Sequence, residues 1–299
     1  MSDSRRVLIV GYGEMGRAME YLLAPRHDLE IWRRPRQGET AGPALAAAAA
    51  GHEVIMLCVP ALPVHDLAEQ LRSSLAPGAI TLSIAKGLDD SGRPAAQALG
   101  EVYRREHLYG VLYGPMISEE IRRGRPAFAE AGVSEDRAYP ALRVLFRGSN
   151  LVLRQGDDLN GLSWAAVLKN VYAIAFGVAD ELDLGDNLRG FLTAQAMDEM
   201  EAILVTLGGR AESARRLAGL GDLVTTATSA GSHHHELGRR LARGESGDIA
   251  GEGVHTLATV RAKRLFDADR FPLFRLVAQT VESPPAAERL LAEYLTSLG

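Results

Sequence analysis

The sequence predicts an α/β protein: a doubly wound parallel sheet in the N-terminal half, then an all-α domain. Three observations predict it. The strand-like run Arg6–Val10 opens onto Gly11-Tyr12-Gly13-Glu14-Met15-Gly16 and a helix-capable stretch through Leu23, the context in which G-x-G-x-x-G marks a dinucleotide site. Short apolar runs then alternate with helical ones as far as Leu153, the pattern of parallel strands with crossover helices. Beyond Leu162 strand signals largely vanish and helical patterns take over.

The bulk numbers permit this and exclude other classes. A chain of 299 residues suits two domains, and 46% hydrophobic with 24% charged residues is ordinary for a globular protein. A formal net charge of -5 gives no general attraction to nucleic acid or anionic membrane. The single cysteine, Cys58, allows no internal disulfide and reads as a small core residue. The start, MSDSRR, precedes an apolar run too short for a signal-peptide core, and no later stretch reads as a membrane span. A cytoplasmic protein without membrane insertion is expected.

Along the chain, β-branched residues at Arg6–Val10 make the first strand, and the glycine turn follows. Gly11 permits the tight turn, Gly13 lets backbone approach a pyrophosphate, and Gly16 allows close helix packing, so Gly11, Gly13, Glu14, Met15 and Gly16 are candidate cofactor contacts. The helix behind them offers free N–H groups and a positive dipole end. The next strand, Leu29–Trp32, runs into Arg33 and Arg34 rather than an acidic residue. Guanidinium groups there suit the 2′-phosphate of NADP(H), the cofactor preferred on this reading, with NAD(H) still open. Val54–Pro60 is a third strand, apolar throughout as a central parallel strand should be. His65–Leu75 reads as helix and Ala79–Ser83 as a strand that delivers Lys86 to its carboxyl end, where open α/β sheets bind ligands. Leu108–Tyr113 is a strand ending at Gly114-Pro115-Met116. A strand near Phe128–Gly132, a helix near Asp136–Phe146 and a strand at Leu151–Leu153 complete a Rossmann-type domain. The polar stretch Gln155–Asn160 divides the chain into residues 1–156 and 157–299.

In the second half, Trp164–Gly177 is a greasy helix with Lys169 and Asn170 at its centre. Lysine is seldom buried unless paired or employed, and burial moves its pKa toward that of a working base. Gly185-Asp186-Asn187 reads as a break, Phe191–Leu207 as a helix and Gly208-Gly209-Arg210 as another break. Leu217–Asp222 is a glycine-punctuated turn presenting a carboxylate, with Thr226 beyond. Helices follow at His233–Arg243, from Glu252, and at Ala286–Leu298. Three consecutive histidines, His233-His234-His235, cannot easily converge on one ion, so no metal site is expected.

Together these segments resemble the NAD(P)-dependent glycerol-3-phosphate dehydrogenase family over nearly the whole chain. The matching stretches are Gly11–Gly16, Ser83–Gly87, Gly114-Pro115 with Glu120, Val167–Val171, Gly185 with Asn187, Leu217–Leu223 and Glu252-Gly253-Val254. The resemblance implies reduction of dihydroxyacetone phosphate to sn-glycerol 3-phosphate for phospholipid synthesis. It implies Lys169 as proton donor and acceptor, with Lys86, Asn170, Asp222 and Thr226 lining the substrate and Glu252 near the cofactor. Gly114, Met116, Ser118, Ser232, His233 and His234 fall at further substrate or cofactor contacts, Ser118 on the cofactor side and His233, like Lys86, on both. The chain departs from the family there: Ser-Arg-Asn is Ser232-His233-His234, Met116 stands for a hydroxyl residue and Ser118 for alanine. Losing the arginine fork weakens phosphate binding and makes it pH-dependent. An alternative is therefore a related dehydrogenase for another small hydroxy or keto substrate, and a third reading is a cofactor binder without catalysis. In the 3-hydroxyacid and 6-phosphogluconate dehydrogenases the lysine and asparagine are spaced apart, so adjacent Lys169-Asn170 favours the first family. A small-molecule substrate and a possible homodimer complete the expectations.

Overall fold

The computed structural model describes residues 4–35, 42–229, 231–247 and 249–299, so the start of the MSDSRR segment lies outside it. These residues form two compact units. The first comprises the chain through Asp89 together with Arg93–Ser163. It holds a seven-stranded sheet of order β2-β1-β3-β4-β5-β6-β7, with β1 Arg6–Val10, β2 Asp28–Trp32, β3 Val54–Leu57, β4 Ile80–Ser83, β5 Leu108–Tyr113, β6 Ala127–Val133 and β7 Leu151–Gly156. Its helices are α1 Glu14–Leu23, α2 Leu45–Ala49, α3 Val64–Leu71, α4 Ala95–Tyr103, α5 Ser118–Arg122 and α6 Tyr139–Leu145.

Strands β3 and β4 are buried at every position, which is why they read as unbroken apolar runs, whereas edge strand β2 is half exposed. Neighbours β1 to β5 are parallel, with Val7 opposite Val54 and Val54 opposite Ile80. β1 pairs with β2 on one side and β3 on the other, so the sheet's switch point lies where β1 and β3 end. One correction to an all-parallel sheet is needed: β6 runs antiparallel to β5, and β7 follows β6 in parallel. The β5–β6 connection holds only the five-residue α5, enough to reverse the chain without carrying it across the sheet.

The second unit comprises Asp90–Gly92 and Trp164–Gly299. Its helices are α7 Leu159–Glu181, α8 Gly185–Thr206, α9 Asp222–Thr228, α10 His233–Ala242, α11 Glu252–Lys263, α12 Pro272–Glu282 and α13 Ala287–Thr296, with a π-helical turn at Leu217–Gly221. The first turn of α7 belongs to the first unit. Leu159 lies against Gly132 of β6, and a Cβ at Gly156 of β7 would overlap Leu162. The division at Ser163 thus falls beyond the polar stretch at residue 156 because packing, not composition, sets it.

Two sequence expectations change here. α7 has 23 residues and is long and apolar enough to span a bilayer, but that apolar stretch is wholly buried inside the protein, as in a core helix. Gly185-Asp186-Asn187, expected as a break, is the first turn of α8, with Gly185 at φ +77° and Asp186 at the positive helix end. Helix α12, unmarked in the sequence reading, begins at Pro272, where proline's missing N–H costs nothing.

Candidate active site

In the first unit the glycine turn sits at the switch point. Gly11 has φ +94°, and a Cβ there would lie 2.5 Å from the Cys58 carbonyl just past β3. Only glycine fits. A Cβ on Gly16 would overlap the Gly11 carbonyl, so this glycine closes the turn on itself rather than spacing helix from strand. Around Gly13 a Cβ would meet nothing within 4 Å, and as N-cap of α1 it supplies no side-chain cap. The first-turn N–H groups of α1 are left for an anion. The Gly11 amide donates to the Trp32 carbonyl at 2.8 Å, so β2 ends beside the turn and exposed Arg33 and Arg34 follow it.

Lys86, half-buried in the loop after β4, donates from Nζ to the Gly114 carbonyl at 3.2 Å. The Tyr113 hydroxyl donates to the Ala85 carbonyl at 2.7 Å and fixes that loop. Gly114 has φ +147°, with the Phe128 carbonyl 2.5 Å from where a Cβ would be. Met116, in the loop after β5, is 6% exposed and packs in the hydrophobic core. Ser118 and Glu14 are joined, the Ser118 hydroxyl donating to the Glu14 carboxylate at 3.2 Å. Arg122, which sequence reasoning missed, donates to the same oxygen at 2.7 Å.

In the second unit Lys169 is 5% exposed and Asp222 4%. The Lys169 ammonium lies 3.1 Å from Asp222 Oδ2 and donates to Thr226 Oγ1 at 2.8 Å. The Thr226 hydroxyl gives its own proton to the Asp222 backbone carbonyl at 2.7 Å, which leaves its lone pairs for Lys169. Asp222 and Thr226 share a helix face by their four-residue spacing. The π-helical turn before them packs tightly: a Cβ on Gly219 would overlap the Ala214 carbonyl. Successive residues on a helix diverge by about 100°, so Asn170 leaves α7 in another direction and its Nδ2 donates to Glu252 at 3.3 Å. The buried carboxylate stabilises the ammonium that burial disfavours, giving a held proton carrier shielded from bulk water.

The histidine run divides three ways. His233 is exposed in the first turn of α10. His234 accepts from the Gly253 amide through Nε2 at 3.3 Å, which turns its ring to α11. His235 pairs with Asp180 at 2.6 Å. Ser232 caps α10, its hydroxyl accepting from the His235 amide at 3.3 Å. Among the described residues no group of three His, Cys, Asp or Glu could hold a metal ion.

Burial raises the pKa of Asp180, but hydrogen bonds from Arg189 and His235 outweigh it and hold the carboxyl below its ordinary range. A depressed carboxyl contributes stability that is present above its unfolded value, about 4, and lost as pH falls through the folded one. Melting temperature is therefore expected to fall on acidification in this window, and the Asp180→Asn variant to show a shallower fall in the same scan.

Sequence reasoning also missed Glu199, 6% exposed on α8. It accepts from the Leu273 and Phe274 amides at 2.6 and 2.9 Å and from the Tyr172 hydroxyl at 2.9 Å, capping α12 and gripping α7 one turn past Lys169. Burial pushes its pKa up, countered in part by those donors. The signal available was its helical spacing: of the three carboxylates in Ala196–Leu204, Glu199 alone lies in register with Ala196 and Ile203.

Residues 39–138 match the family described as NAD-dependent glycerol-3-phosphate dehydrogenase N-terminus, and residues 158–291 the one described as its C-terminus. A glycerol-3-phosphate dehydrogenase (NAD(P)+) of Agrobacterium fabrum is 31% identical, with 93% of each chain covered. The chain belongs to the glycerol-3-phosphate dehydrogenase family. A second member of that family, from Thermosynechococcus vestitus, is 33% identical across 97% of this chain and 96% of its own. A solved glycerol-3-phosphate dehydrogenase of Coxiella burnetii superposes with TM-score 0.84 at 23% identity, covering 97% of this chain and 99% of that one. A ketopantoate reductase of Ralstonia eutropha reaches 0.59 at 17% identity, covering 96% and 99%. These two likenesses concern fold alone. The relatives named for glycerol-3-phosphate dehydrogenase favour the first reading of the sequence over its alternatives.

Proposed function

We propose that the chain catalyses the NAD(P)H-dependent reduction of dihydroxyacetone phosphate to sn-glycerol 3-phosphate, an oxidoreductase step on a CH–OH carbon that feeds glycerophospholipid synthesis. The observation that carries it is the buried Lys169–Asp222–Thr226 cluster in a member of this family. A nicotinamide dinucleotide fits the first unit: the uncapped α1 N-terminus and the open space at Gly13 are what a pyrophosphate needs. That cofactor, when bound, supplies the hydride.

The chain's own residues do the rest. Lys169 gives a proton to the substrate oxygen as negative charge develops there, and takes it back in the reverse direction. Asp222 and Thr226 aim the ammonium and share its charge. The family resemblance gives Lys86 and Asn170 substrate contacts, with Lys86 supplying positive charge. The α10 N-terminus, with exposed His233 and Ser232 in place, receives the phosphate through helix-end N–H groups. Glu252, hydrogen-bonded to Asn170, takes the cofactor contact that the family resemblance implies. The direct test is loss of NADPH absorbance with dihydroxyacetone phosphate against unphosphorylated ketones. Turnover of the unphosphorylated set alone overturns the reading.

Arg33 and Arg34 give the site its preference for NADP(H) in this reading. The Arg33→Ala/Arg34→Ala variant is expected to bind NADPH about tenfold or more weakly, on the scale of a charge-assisted hydrogen bond, with NADH affinity unchanged. Equal losses for both cofactors would remove the pair from 2′-phosphate recognition. A cytoplasmic homodimer completes the reading, with light scattering of purified protein measuring the dimer.

A further inference from the structure

We propose that Arg122 is a positioning residue for cofactor binding, neutralising the Glu14 carboxylate at the mouth of the glycine turn. The inference rests on the reading of the first unit as a nicotinamide dinucleotide site. Glu14 is the first residue of α1, the end whose free N–H groups and positive dipole draw an anion. An unpaired carboxylate there competes with a pyrophosphate for the same positive potential and repels it.

Glu14 is paired instead. Arg122 Nη2 donates to Glu14 Oε2 at 2.7 Å and the Ser118 hydroxyl donates to the same oxygen at 3.2 Å. Both donors come from α5, more than a hundred residues away in the chain. The other nearby cation, Arg17, reaches Glu14 only at 3.9 Å and lies over the Tyr12 ring, 5.6 Å from its centroid. Tyr12 is itself hydrogen-bonded to Glu20 at 2.5 Å. Arg122 is therefore the close counter-charge to Glu14 and leaves the pair neutral at the rim of the turn. The pair is more than a third exposed on both sides, so as a fold-stabilising contact it is worth little. Its effect on a doubly charged ligand at the same helix end is larger, because each charge on that ligand feels it.

The test is a double-mutant cycle read by equilibrium NADPH binding, using fluorescence of the bound cofactor, with thermal melting alongside. Arg122→Ala is expected to weaken NADPH binding about tenfold at low ionic strength, with the melting temperature nearly unchanged. Glu14→Gln is expected to bind a few-fold tighter than wild type, because the carboxylate's repulsion is gone and Arg122 remains. Glu14→Gln/Arg122→Ala is expected to return to within about threefold of wild type, since the charge needing neutralisation is gone. The loss in Arg122→Ala should shrink in high salt. Wild-type affinity in Arg122→Ala overturns the proposal, and so does an Arg122→Ala loss that persists undiminished in the Glu14→Gln background. Failure of wild-type protein to bind any nicotinamide dinucleotide would instead overturn the underlying reading.

Discussion

Replacing Lys169 with alanine is expected to lower kcat by about 10²–10⁴-fold, the span of a general acid–base group, while NADPH binds with wild-type affinity. The difficulty is Asp222, which the Lys169 ammonium approaches at 3.1 Å. A buried carboxylate stripped of its partner costs about 3–5 kcal/mol, so loss of activity in the single variant could report loss of fold. Lys169→Met/Asp222→Asn removes both charges at nearly constant volume and is expected to melt close to wild type. Turnover should stay low in that protein while cofactor binding persists. Wild-type kcat in either variant removes Lys169 from the chemistry.

Gly238→Ala is expected to destabilise the second unit by about 3 kcal/mol, the upper end of the usual range for overpacking. A Cβ on Gly238 would overlap the Ile174 carbonyl, and one on Gly177 would overlap that of His235. Helices α7 and α10 thus touch backbone to backbone, glycine against glycine. This crossing sets how far the α10 N-terminus, with Ser232 and His233, stands from the helix that carries Lys169. The expected signature is a lower melting temperature and, in the protein that remains folded, a KM for dihydroxyacetone phosphate that rises more than kcat falls. Gly177→Ala should do the same. Unchanged melting and KM in both would show that the crossing has slack.

The legible parts of the molecule were those encoded within a few residues of one another. β1, the glycine turn and α1 form one continuous stretch, and Lys169-Asn170 announce themselves as polar residues in an apolar helix. Strand direction was not legible: Ala127–Val133 is as apolar as its neighbours, and only the short α5 before it reverses the chain. The partners that build the site lie far off in sequence. Arg122 meets Glu14 across 108 residues, and Glu199 caps a helix 74 residues away. Nothing local marks such pairs. Gly177 and Gly238 did leave a trace, each a glycine inside a helical pattern with no turn to require it. The burial of Met116 was not legible either, because nothing in its segment marks it as a core residue.

The histidine triplet has a practical corollary. As text it looks like a short affinity tag, but helical geometry sends its three rings to solvent, to α11 and to Asp180. A chelating surface outside the protein meets one imidazole in the native state and all three only after the helix has melted, so retention on such a surface distinguishes folded from denatured chain.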